Sequence, residues 1–232
     1  MLKKNKFIIL IIVALFLLFI YFSRNNFFSI INLEPQTSNL KYVRQGATGS
    51  GSGDDWTNAY TILPSTLQRD TTYYIADGSY GGYIFDDTEI GNQWIVIKKS
   101  IPTDYGTSVG WNPTTMGSGQ ALFTGGLNFQ KDYYEINGQK RNEGNWQDVG
   151  SYGIRVKPSN GNSGVAVVID AVSGSNLPDA DFITLKYLDI GGDAGSTCGI
   201  PVGEECPNIP DRGFEMIYGD HQNIYIGYSH IH

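Results

Sequence analysis

Charge is scarce in this chain: 17% of its 232 residues are Asp, Glu, Lys or Arg, against a usual share of about 25%. That shortage excludes a charged disordered tail and a coiled coil, and 29 glycines without a strict three-residue period exclude collagen. Basic residues are scarcer still over most of the length. Residues 1–33 hold Lys3, Lys4, Lys6 and Arg24 and no acid, which leaves 12 bases against 23 acids in the remainder, a net of −11. A body so acidic repels phosphate backbones, so nucleic acid is excluded as a partner. Cysteine occurs only twice, as Cys198 and Cys206 in a loop rich in Gly and Pro, with no further ligands near enough in sequence for a cysteine metal site. In an oxidising compartment a disulfide closing that small loop is the expected pairing.

What the chain does have is apolar residues, 41% of the total, enough for one sizeable core. The first of them stand together. After the basic stretch Lys3-Lys4-Asn5-Lys6, residues 7–22 (FIILIIVALFLLFIYF) carry no charge and no helix breaker. A run somewhat shorter than the roughly 20 residues of a full span suits either a signal anchor or a cleaved signal peptide. The residues after it lack a good cleavage site, which favours an uncleaved anchor. Basic residues ahead of the run keep the amino terminus in the cytoplasm and place the rest outside. The organisation expected is a cytoplasmic basic end at 1–6, a transmembrane signal anchor at 7–23, a linker at 24–40 and a β domain at 41–232.

Helical periodicity is missing beyond Asp70. Before it, Ala59, Ile62, Leu63 and Leu67 fall at near-helical spacing and predict a short helix over 57–67, interrupted at Pro64. After it come short β-rich runs, among them 72–76, 83–85, 94–99, 121–123, 133–137, 153–157, 165–170, 182–190, 214–218 and 223–232, separated by Gly, Asn, Asp and Pro. Two of them align without gaps, 183–190 (ITLKYLDI) and 224–231 (IYIGYSHI). In each, two alternating aliphatics precede Tyr187 or Tyr228, and an aliphatic then returns out of phase, at Ile190 or Ile231. A strand keeps its two-residue period, so the phase break predicts a corner between two short strands. Strand, corner, strand is the unit of a parallel β-helix, and the offset of 41 suits two coils of about 20 residues with 214–218 in the one between.

The stretch from Tyr42 through Gly51-Ser-Gly-Asp-Asp-Trp56 to Asp70-Thr-Thr-Tyr-Tyr-Ile-Ala-Asp77-Gly-Ser-Tyr80 resembles the opening segment of exported right-handed parallel β-helix proteins of the pectate-lyase-like superfamily. Residues 182–192 and 223–232 resemble their later coils. The resemblance covers about 41–232 and implies an all-β, right-handed parallel β-helix solenoid with a short N-terminal capping helix over the first coil, preceded by one transmembrane helix. It also implies polysaccharide as the partner, bound either by a non-catalytic surface domain or by a polysaccharide lyase or glycoside hydrolase.

Candidate chemistry divides accordingly. Arg155 and Lys157, two apart on one strand face, would serve a lyase as charge neutraliser and base, or are solvated surface charges. Hydrolases of the fold need clustered aspartates. Asp189 and Asp193, near Asp179, Asp181 and Asp211, would bind calcium through oxygen ligands, or are turn formers. Tyr187, Tyr225 and Tyr228 would ladder along an outer face and stack on sugar rings. His230 and His232, two apart, lack a third ligand in sequence and read as surface histidines rather than metal ligands. The last strand has no polar cover after it, so a truncated chain or a second subunit over the final coil is expected.

Overall fold

The computed structural model describes residues 37–158, 165–170, 180–191 and 221–232, together with the backbone of 214–217. The expected membrane segment at 7–23, Asp193, Cys198 and Cys206 lie outside the described residues. No helix among the described residues is long and apolar enough to cross a membrane.

Strand β1 (Asn39–Val43) opens the domain, and strands then follow in threes. The first turn is β2 (Thr71–Ile75), β3 (Gly78–Tyr80) and β4 (Tyr83–Phe85); the second is β5 (Ile95–Lys99), β6 (Ala121–Phe123) and β7 (Leu127–Phe129). The third is β8 (Tyr134–Asn137), β9 (Ile154–Val156) and β10 (Val167–Asp170), and the fourth is β11 (Ile183–Lys186), β12 (Leu188–Ile190) and β13 (Phe214–Ile217). A fifth begins with β14 (Tyr225–Gly227) and β15 (His230–Ile231). Each strand pairs in parallel with its counterpart one turn away, giving a first sheet β1-β2-β5-β8-β11-β14, a second β3-β6-β9-β12-β15 and a third β4-β7-β10-β13. Parallel neighbours need a long crossover, and here the other two sheets supply it. The architecture is therefore predominantly β, with stacked parallel sheets and very little helix, compatible with a parallel β-helix.

The core sits inside the three sheets as ladders of like side chains. Ile95, Tyr134 and Ile183 are register partners, as are Tyr73, Ile97, Ile136, Leu185 and Ile226 in the same sheet. In the second sheet Tyr80, Phe123, Val156, Ile190 and Ile231 stack, and in the third Phe85, Phe129 and Ile169. The Phe85 and Phe129 rings lie 4.5 Å apart and 5° from parallel. Strands of two to five residues suffice because each rung finds its partner in the next turn rather than along its own strand.

Corners set the ends of the strands. Asp70, Tyr133, Phe182 and Asn223 stand ahead of β2, β8, β11 and β14, with φ of 58°, 64°, 54° and 56°, while Tyr187 and Tyr228 follow β11 and β14 with φ of 55° and 57°. Left-handed backbone costs an L residue roughly 1–2 kcal/mol, and its repetition in register shows that the stack imposes the conformation. The phase break read at Tyr187 and Tyr228 is thus a real corner in both turns.

Two expectations are corrected. Residues 57–67 form no helix. The segment still covers the open end of the core: Leu63 and Leu67 are buried in it, and Tyr60 adds a parallel bridge to Val43 beyond β1. Its amides are committed elsewhere, Asn58 N–H to Asp55 Oδ1 and Leu67 N–H to Asp87 Oδ1, and Pro64 supplies none. The offset of 41 is one turn, not two, because Thr184 pairs directly with Tyr225 and β13 belongs to the same turn. Turns lengthen by insertion at corners: 24 residues from Thr71 to Ile95, 39 from Ile95 to Tyr134 and 49 from Tyr134 to Ile183.

Candidate functional site

Outward positions of the second sheet carry a polar ladder. Arg155 of β9 is the register partner of Asp189 of β12, and Asp189 is the partner of His230 of β15. Strand alternation sends these side chains away from the core, whose rungs are Ile154, Val156, Leu188 and Ile190. Asp189 nevertheless has no solvent exposure, because its neighbours close over it. Arg155 Nε stands 2.9 Å from Oδ2, while His230 Nδ1 and His232 Nε2 stand 3.1 and 3.3 Å from Oδ1. The two imidazole rings are stacked at 4.6 Å, and Tyr152 lies against His230 at 6.3 Å. Tyr152 is buried and donates its hydroxyl to Trp146 O at 2.9 Å; burial pushes its ionisation up.

An aromatic edge adjoins this ladder at the corner between the first and second sheets. Tyr187 and Tyr228 are stacked at 4.8 Å and 8°. Gly138 permits the corner to close: a Cβ there would lie 2.0 Å from the Tyr187 carbonyl oxygen. The insertion at 138–153, between β8 and β9, brings Arg141 over both Tyr228 and Trp146, at 5.2 Å from each ring centroid. Glu143 holds Arg141 in place through two parallel bonds of 3.0 and 2.8 Å. Trp146 and Tyr228 remain 61% and 48% exposed, so part of each ring reaches solvent beside Arg141.

The residues singled out in sequence are distributed unevenly. Tyr187 and Tyr228 meet, whereas Tyr225 lies on the outward face of the first sheet, with Lys186 Nζ 6.0 Å from its ring. Arg155 lies in β9 and turns to Asp189, whereas Lys157 stands one residue past the end of that strand and is exposed. The described neighbours of Asp189 are a guanidinium and two imidazoles, not the oxygen donors that calcium prefers. The third group that His230 and His232 lacked in sequence is Asp189, and the ungapped alignment of 183–190 with 224–231 already pairs Asp189 with His230. Arg141, Trp146 and Tyr152 escaped notice because an insertion has no period to read.

The fold and this face define a predominantly β domain of stacked parallel strands with an exposed aromatic and charged flank. Compared with protein families, curated proteins and solved structures, the chain matches none of them.

Proposed function

We propose that the domain is a right-handed parallel β-helix of the pectate-lyase-like kind, held outside the cytoplasm by its N-terminal membrane segment, which binds polysaccharide without cleaving it. The observation that carries this reading is the aromatic edge of Tyr187, Tyr228 and Trp146 around Arg141. Solvent-exposed aromatic surface beside fixed charge suits a sugar ring, which offers an apolar face to aromatic surface and hydroxyls to polar groups. A lyase remains the second reading, supported by Arg155 on the adjoining strand.

The full chain, purified in detergent, is expected to bind acidic or neutral polysaccharide in an affinity-electrophoresis panel. Tyr228→Ala and Trp146→Ala should each weaken that binding severalfold, at about 0.5–1.5 kcal/mol per stacking contact. No retardation by any polysaccharide, or retardation unchanged in both variants, overturns the reading. Appearance of ultraviolet-absorbing unsaturated product, abolished by Arg155→Ala and Lys157→Ala, transfers the case to the lyase.

A further inference from the structure

Asp189, His230 and His232 have no part in the aromatic edge, and their arrangement has its own chemistry. One carboxylate oxygen and two imidazole nitrogens lie within 4.8 Å of one another. A tetrahedral zinc ion with ligands at about 2.0–2.2 Å has ligand-to-ligand edges of about 3.3–3.6 Å. The two oxygen-to-nitrogen separations, 3.1 and 3.3 Å, already stand near that value, and the two nitrogens lie within 4.8 Å of each other. From these distances we propose that Asp189, His230 and His232 form a three-ligand site for a divalent transition ion of the zinc class, with a fourth position open to water or an external ligand.

Three further observations support a built site. Asp189 and His230 are register partners on adjacent strands, so backbone hydrogen bonding fixes their separation. Gly191 leaves the space that the His232 ring uses: a Cβ there would come within 2.9 Å of Nε2. Arg155 supplies the buried carboxylate with a countercharge, yet its Nε is not aligned to donate to Oδ2, and neither atom has another hydrogen-bond partner. The ligand set of two nitrogens and one oxygen suits zinc, copper or nickel and disfavours calcium, which takes six to eight oxygens. An ion can reach Asp189 past His232, whose side chain is 44% exposed. Its positive charge competes with Arg155 for the same carboxylate.

The test is zinc titration of the chelator-stripped full chain by calorimetry, with cobalt as a spectroscopic substitute. One zinc per chain is expected, and cobalt should give the intense visible absorption of a four-coordinate ion. His230→Gln and His232→Gln should each weaken zinc at least tenfold, while Arg155→Gln should tighten it, because the competing cation is gone. Calcium in excess should leave the zinc isotherm unchanged. Thermal melts of each variant without metal establish that the domain is folded; both histidines are partly exposed, so their replacement leaves the core intact. No saturable zinc binding, zinc binding that survives both histidine replacements, or displacement by calcium each overturns the site. None of these readouts involves polysaccharide, so the site and the carbohydrate reading stand or fall separately.

Discussion

Lys99 carries an ammonium group on an inward rung of β5, where its register partner one turn earlier is Ile75. Nothing of its side chain is exposed. It donates to Ser100 O at 2.6 Å and to Met116 O at 3.0 Å, and it stands 2.7 Å from Asp77 Oδ1 as an ion pair. Burial holds its pKa down to about 8, against the pull of the Asp77 carboxylate in the opposite direction. The unfolded lysine titrates near 10.4, so above about pH 8 the unfolded chain binds more protons than the folded one and stability rises with pH. Above about pH 9 the sign reverses, because five tyrosines outnumber the one lysine. Burial raises the hydroxyls of Tyr73, to about 12, and of Tyr74, Tyr80, Tyr83 and Tyr134, so the unfolded tyrosines ionise first and favour unfolding. Denaturant melts from pH 7.5 to 11 should therefore show stability climbing by up to about 1 kcal/mol per pH unit to a maximum at about pH 9, then falling. Lys99→Met should remove the climb and keep the fall. A wild-type curve that is flat or descending from pH 8 contradicts the assignment.

Elements here are short because the ladder, rather than the strand, is the stabilising unit. Phe129 stacks on Phe85 within the third sheet and is fully buried, so Phe129→Ala is expected to cost about 3–5 kcal/mol in chemical denaturation. Ile84→Ala, an outward residue 53% exposed on the adjoining strand, should stay within about 0.5 kcal/mol of wild type. Equal losses from the two would contradict the assignment of inward and outward faces. The same logic explains what could be read in advance. Runs such as Ile95–Lys99 and Ile183–Lys186 alternate long enough to declare themselves, and the corners at Tyr187 and Tyr228 showed as breaks in that alternation. Gly78–Tyr80 and Leu127–Phe129 passed unread because three residues, with Gly, Ser or Asn among them, carry almost no period. At 57–67 the spacing of Ala59, Leu63 and Leu67 met the helical template, but burial of the same residues is satisfied by an irregular cover. Of the flank, Arg155, Asp189, Tyr187 and Tyr228 were each visible singly. Their association needed the register between turns, which is a property of neighbouring strands and not of any one of them.

At the scale of the molecule, charge is divided by position: a basic end before residue 7 and an acidic body after residue 33. If residues 7–23 anchor the chain with that basic end inside, protease added to intact cells should remove the body, and the protein in the membrane fraction should begin at Met1. Protection of the body, or a mature terminus near residue 24 or 30, rules that arrangement out. A body built by stacking also has a surface of a particular kind. Tyr187 and Tyr228 are 41 positions apart in sequence but one strand spacing apart in space, with their rings 4.8 Å from each other. The outer face is thus ruled like a scale whose graduations are set by backbone hydrogen bonds. Gain or loss of a turn changes the length of that face by one graduation at a time, while the spacing between graduations stays fixed.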